Sequence, residues 1–155
     1  MDLYYFSYTG TSKSIALALA KEFKIVPKEI KSYSFPYPIW LLFSFIPHFS
    51  LKAYFEPQEN SYGILIFPKW TFNCPPVTYF LKHTAFEKLF MIITYGGWRE
   101  KPYGEYYKNL ATKRCKDVDL IFIKKSEWEK NKYSLLIKIE EKIKNFINRY
   151  NNFQP

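Results

Sequence analysis

The chain has 155 residues, 48% hydrophobic and 24% charged, which excludes a disordered chain and fits one domain with a full core. Its net charge of +9 favours anionic partners such as phosphates, acidic proteins, nucleic acid or anionic lipid. The plainer account of most of these lysines is that they keep a chain with 21% aromatic residues in solution.

Cys74 and Cys115 form neither a metal spacing nor a disulfide framework, and His48 and His83 lie far apart in the chain. The start of the chain lacks a basic and then apolar leader, so no signal peptide is expected. No apolar run reaches the roughly 18 residues of a spanning helix. The expectation is a cytoplasmic, reduced protein.

Residues 3–6 (LYYF) form a short run without polar alternation, which suits a strand buried on both faces. The loop Ser7-Tyr8-Thr9-Gly10-Thr11-Ser12 follows, then a helix with Ile15, Ala18, Leu19 and Phe23 at core spacing. Ser12 or Ser14 would cap that helix, and Pro27 would end the unit. A short second strand is expected over 29–33 (EIKSY). Residues 34–55 are aromatic-rich and divided by three prolines. The plain expectation there is a crossover helix covering one face of a sheet. The sharper one is an aromatic surface for a membrane, a quinone-like substrate or a partner protein.

Residues 62–67 (YGILIF) form the clearest buried strand, running into the loop PKWTFNCPP. A helix opens over 77–82, with Pro75 and Pro76 at its first turn. A strand over 89–94, a helix over 103–113 and a strand over 118–123 come next. A last amphipathic helix is marked by Leu135, Leu136, Ile139, Ile143, Phe146, Ile147 and Tyr150. Five alternations of continuous apolar strands with helices predict a parallel sheet covered on both faces, in one domain over 1–150 with a frayed tail over 151–155.

In such a sheet ligands bind beyond the carboxyl ends of the strands. Gly10, Gly96 and Gly97 all directly follow expected strands, and glycine admits close approach, although strand-to-helix turns use glycine anyway. Three loops would meet at that edge. The first offers the hydroxyls of Ser7, Thr9, Thr11 and Ser12 at a helix N-terminus, which favours an anion. It has neither GxxxxGK[ST] nor GxGxxG spacing, so a terminal monophosphate suits it better than a nucleoside triphosphate or dinucleotide. The second loop, Pro68-Lys69-Trp70-Thr71, brings an indole. The third, Tyr95-Gly96-Gly97-Trp98, brings two rings and backbone donors. A phosphate cradle facing two aromatic loops fits a ligand with a phosphate at one end and a planar ring at the other.

This set resembles the flavodoxin-like family, whose [ST]-x-T-G-x-[ST] loop after the first strand is matched by Ser7, Thr9, Gly10, Thr11 and Ser12. LIFPKWTFNCPPVTYFL and MIITYGGW resemble the family's third and fourth strands with their ring-contacting loops. The resemblance implies a three-layer αβα sandwich with a five-stranded parallel sheet in the order 2-1-3-4-5, and noncovalent flavin mononucleotide (FMN). By position, Ser7, Thr9, Gly10, Thr11 and Ser12 would hold the phosphate. Trp70 and either Tyr95 or Trp98 would sandwich the ring system, and the N–H groups of Gly96 and Gly97 would face its pyrimidine edge. Pro68, Lys69 and Thr71 would complete the ring loop.

Electron-carrying members are typically acidic, whereas this chain is basic. The function expected is electron transfer or a small flavin-dependent reductase, with a redox partner protein or a quinone-like acceptor. Lys69 and Arg99 would stabilise an anionic reduced ring, which points more to a two-electron reductase than to a low-potential one-electron carrier. The competing expectation is the same fold without flavin, docking a basic aromatic surface on an acidic protein or membrane. No nucleic-acid motif is present, so a nucleic-acid partner is not expected. Cys74 is expected to be a buried structural thiol.

Overall fold

The computed structural model describes residues 1–149, so the tail expected to fray and Tyr150 lie outside the described residues. Five strands are β1 (Asp2–Tyr5), β2 (Pro27–Glu29), β3 (Tyr62–Pro68), β4 (Lys88–Tyr95) and β5 (Asp117–Lys124). They alternate with α1 (Thr11–Phe23), α2 (Tyr37–Ser44), α3 (Pro75–His83), α4 (Glu100–Ala111) and α5 (Lys125–Asn148). The pairings between these five strands are all parallel and the sheet order is β2-β1-β3-β4-β5, as expected.

The alternation of side chains along each central strand feeds two cores. Leu3, Tyr5, Ile64, Ile66, Phe90 and Ile92 pack under α1 and α5. Tyr4, Leu65, Phe67, Leu89, Met91 and Ile93 pack under α3 and α4. Burial on both faces is why these strands read as unbroken apolar runs. Close approach also constrains the layers: a Cβ on Gly104 would lie 2.3 Å from the Phe122 ring, so only glycine lets α4 settle on β5.

Three local expectations are corrected. The second strand lies at Pro27–Glu29 rather than 29–33, with Ile30 N–H still donating to the Tyr5 carbonyl at 2.8 Å. Pro27 therefore opens a strand, which an edge position tolerates because no ladder donor is needed there. Neither serine caps α1: Gly10 is the capping residue, at φ 96°, and no side chain bonds the free N–H groups. The Ser12 hydroxyl instead meets Thr94 Oγ1 at 3.0 Å, and Ser14 Oγ accepts from Trp128 Nε1 at 3.1 Å. Finally, α2 covers no sheet face. No α2 residue belongs to either core, and Ala53 with Phe55 packs into the α3–α4 layer instead.

The amino ends of β1 and β2 are locked by charge. Lys28 Nζ, almost wholly buried, sits 3.2 Å from Asp2 and 3.2 Å from Glu59, and donates to the Pro57 carbonyl. Asp2 also accepts from the Asn60 amide side chain and from the backbone N–H groups of Glu59 and Asn60. Burial pushes the Asp2 carboxyl up, but these donors outweigh it and hold it at about 2, below its ordinary 3.8. A depressed carboxyl stabilises the fold above its unfolded value, and that contribution disappears as pH falls through the folded value. Asp2→Ala should destabilise the protein by about 3 kcal/mol, because it leaves the buried Lys28 ammonium only the exposed Glu59 as counter-charge and takes the acceptor from the Glu59 and Asn60 donors. Asp2→Asn should flatten the acid limb between about pH 4 and pH 2. Urea unfolding across that range checks both.

Candidate functional site

Because the strands are parallel, the loops after β1, β3 and β4 emerge together at the carboxyl edge, and the segment after β2 joins them. The first loop wraps the N-terminus of α1. Gly10 N–H donates to Ser7 Oγ at 3.1 Å, and Ser14 N–H closes the first helical turn on the Gly10 carbonyl at 2.9 Å. The N–H groups of Thr11, Ser12 and Lys13 are therefore left for an external acceptor. Thr9 is exposed and Thr11 half-buried, with neither hydroxyl engaged among the described residues. At φ 96° Gly10 adopts a conformation that L side chains rarely take, and the space beside it is open. The loop is thus a concave set of donors, of the kind that holds a phosphate. The Ser12 side chain stands apart: it is buried against Thr94, so only its N–H faces outward.

Next to this loop lies a cavity of about 670 Å³. Of the ring-site residues expected from sequence, Lys69, Trp70, Thr71 and Trp98 line it. Tyr95 does not; its ring packs edge-on against Phe122 at 6.2 Å. Pro68 caps β3, its carbonyl accepting from Tyr103 Oη at 3.2 Å. Gly96 and Gly97 are exposed just outside the lining, and a Cβ on either would meet nothing within 4 Å. Neither packing nor a positive φ calls for glycine there. Ser7, Thr9, Gly10, Thr11 and Ser12 lie outside the cavity lining, but Tyr8, from the middle of their loop, belongs to it.

Sequence reasoning missed half of the wall. Tyr37, Trp40, Leu41 and Ser44 come from α2, and Tyr103 and Tyr106 come from α4. Trp40 meets Trp70 at 5.2 Å, and Trp70 is held edge-on by Phe6 at 5.5 Å and Tyr8 at 6.1 Å. Trp70 N–H donates to the Tyr103 hydroxyl at 3.3 Å. The available signal was the aromatic density of 35–49 beside the 68–73 loop, but no periodicity said which rings faced inward.

The cavity contains two cations and no carboxylate. Lys69 Nζ donates to the Trp70 carbonyl at 3.2 Å and lies 5.6 Å from the centre of the Tyr103 ring. Partial burial lowers its pKa, with Glu100 opposing the shift. Arg99 lies over the Trp98 indole at 4.8 Å, and its backbone is left-handed at φ 58°. Such strain is costly for a non-glycine residue and is often found at functional sites.

Behind the cavity a buried polar network fixes the loop. The Asn73 side chain accepts from Thr78 at 2.5 Å and from the Tyr107 hydroxyl at 3.1 Å. Its Nδ2 donates to the carbonyls of Ile46 at 3.2 Å and Phe49 at 2.6 Å. Cys74 N–H donates to the Tyr107 hydroxyl at 2.6 Å. Burial drives the Tyr107 phenol far above its ordinary range, so it stays protonated. Burial does the same to the Cys74 thiol, the structural cysteine expected.

The architecture is that of the flavodoxin-like α/β class. The NMR structure of the apo-form of the flavoprotein from Lactobacillus acidophilus NCFM shares it, with TM-score 0.58 over 78% of this chain and 91% of that chain, at 13% identity. The chain is also 46% identical over 133 residues to an uncharacterized protein of Archaeoglobus fulgidus, spanning 84% of this chain and 90% of that one, and it belongs to the same family. No protein-family model matches.

Asn73→Ala should destabilise the fold by about 2 kcal/mol, because it leaves buried partners unsatisfied. It should also loosen α2, seen as loss of near-ultraviolet circular dichroism from Trp40 and Trp70. Cys74 should react with thiol reagents only on global unfolding, with the same denaturant midpoint as the fold.

Proposed function

We propose that this protein binds flavin mononucleotide and acts as a small flavin-dependent reductase, with electron transfer to a partner protein as its simpler form. The observation that carries the reading is the pairing of two features through Tyr8: an open donor loop at a helix N-terminus and an aromatic cavity beside it. The residues fit the group. The N–H groups of Thr11, Ser12 and Lys13, with the hydroxyls of Thr9 and Thr11, would hold the phosphate against the positive end of α1. Ser7 would shape the loop through Gly10 rather than bind directly. Trp70 and Trp98 would flank the ring, and Gly96 and Gly97 would let its polar edge approach their backbone.

When bound, the flavin supplies the redox chemistry, accepting electrons as a pair or singly. The chain's own part is positioning and electrostatics. Lys69 and Arg99 favour negative charge in the cavity, whose lining holds no carboxylate, although Glu100 beside it offsets Lys69 in part. Aromatic walls exclude water and leave a slot suited to a flat, quinone-like acceptor. A reducing, cytoplasmic setting agrees with the two free cysteines.

Purified protein, or protein mixed with FMN, should be yellow with quenched flavin fluorescence. FMN should bind more tightly than riboflavin, which lacks the phosphate. Thr9→Val with Thr11→Val should cost FMN about tenfold or more in affinity and leave riboflavin unchanged. Trp70→Ala should weaken both. Failure to bind either ligand would refute the reading. Lys69→Gln should lower the potential of bound flavin by on the order of tens of millivolts, measured by redox titration, since a cation favouring the reduced anion is lost.

A further inference from the structure

From residue 34 to residue 51 the chain carries no Asp, Glu, Lys or Arg. Helix α2 lies in this stretch and buries only Trp40 and Ser44. Its outer side presents Leu42, 62% exposed, with Tyr37 and Ile39 beside it. Phe45 and Ile46 continue the patch past the helix end, and Phe72 extends it with its ring 5.9 Å from that of Phe45. The patch is not a frayed segment. Phe72 N–H donates to the Ser44 carbonyl at 2.9 Å, Ser44 Oγ bonds Thr71 at 3.1 Å, and Asn73 holds Ile46 and Phe49. Exposure of these side chains is therefore built into the fold, and exposed apolar surface of this kind marks an interaction site.

We infer that this face is a peripheral membrane-docking surface whose partner is an anionic phospholipid bilayer. Charge complementarity decides the occupant. Lys82 Nζ donates to the His48 carbonyl at 3.3 Å, near the end of this uncharged stretch, and Lys52 directly follows the stretch. Arg99 and Lys69 line the cavity that Tyr37 and Leu41 border. No acidic residue occurs between Ile30 and Phe55. An apolar and aromatic protrusion with cations around it matches an interface that is hydrocarbon below and anionic at the headgroups. A second copy of the chain is the weaker occupant, since each carries +9 and the two would repel. A protein partner fits less well too. The exposed side of α2 carries one side-chain polar group, the Tyr37 hydroxyl, because Ser44 is engaged internally and Trp40 is buried, and protein interfaces carry a polar, hydrogen-bonded rim.

Among the described residues no helix is long and apolar enough to cross a membrane, so attachment would be to the surface. Since Tyr37 and Leu41 belong both to α2 and to the cavity wall, docking lays the cavity beside the lipid. A lipid-dissolved acceptor would then enter without crossing water. That consequence rests on the flavin reading; the docking itself does not.

The test is flotation with vesicles of phosphatidylcholine alone and of phosphatidylcholine with phosphatidylglycerol at about 3:1. The wild-type protein should float with the anionic vesicles and stay behind with the neutral ones. Leu42→Glu with Phe45→Glu should reduce bound protein about tenfold or more while the thermal midpoint changes little, because both side chains are more than half exposed. Leu42→Trp should strengthen binding. Lys52→Glu with Lys82→Glu should weaken it and lessen its salt dependence. The inference fails if the wild type does not float with anionic vesicles. It fails equally if the double glutamate variant floats as well as wild type, which would reduce the effect to net charge. A wild-type dimer that the same variant turns into a monomer, without vesicle binding, would assign the face to a second copy. FMN titration of each variant is read separately, so loss of docking with intact flavin binding, or the reverse, identifies which reading failed.

Discussion

The carboxyl edge hangs on the side chain of Asn73. Its carbonyl is held by Thr78 and Tyr107, and its amide reaches out to the carbonyls of Ile46 and Phe49. One end of the residue is thus fixed to α3 and α4, and the other carries the segment that closes the cavity. Helix α2 contributes to neither core, so this tie, with the Phe72–Ser44 and Ser44–Thr71 hydrogen bonds, is what holds its segment to the body of the fold. A buried amide repays its desolvation only when most of its bonds are made. Here the bonds span more than twenty residues of chain in each outward direction. The arrangement converts a mainly apolar core into a defined position for a peripheral helix.

Most of the sheet was legible because its strands obey one rule. β3 and β4 are buried on both faces, so their sequences are continuous apolar runs that no amphipathic helix would imitate. β2 was misplaced for the opposite reason. Its central residue is Lys28, whose burial is stabilised by Asp2 and Glu59, residues distant in sequence. No local pattern announces a buried lysine. The serine caps failed similarly. A serine near a helix start offers an oxygen to orphan N–H groups, but Ser12 and Ser14 found partners in Thr94 and Trp128, 82 and 114 residues away.

The site was legible where it rests on loops that directly follow strands. The positions of Gly10, Trp70 and Trp98 follow from topology once the sheet is parallel, because all such loops share one edge. Tyr95 was ambiguous for a definite reason. It is the last residue of β4, and the pleat turns it toward Phe122 rather than the cavity. The α2 wall was legible only as an aromatic stretch that could meet a substrate, a membrane or a partner, and not residue by residue. Pro36 and Pro38 confine the start of the helix and its rings face several ways, so neither a period of 3.6 nor a period of 2 could emerge.

Two of the left-handed positions at this edge, where His48 at φ 64° is a third, connect fold and chemistry. Gly10 at φ 96° and Arg99 at φ 58° both stand directly before a helix, α1 and α4. For Gly10 the left-handed turn costs little and leaves three N–H groups facing open space. For Arg99 the same conformation costs free energy that glycine would have avoided. What the arginine gains is a guanidinium stacked on Trp98 at the cavity rim, opposite a lysine whose charge is already partly desolvated. On the flavin reading, a cavity so built would favour negative charge on the bound ring. An acidic electron carrier would lack that bias, which makes the basic charge of this chain a property of its site as well as of its surface.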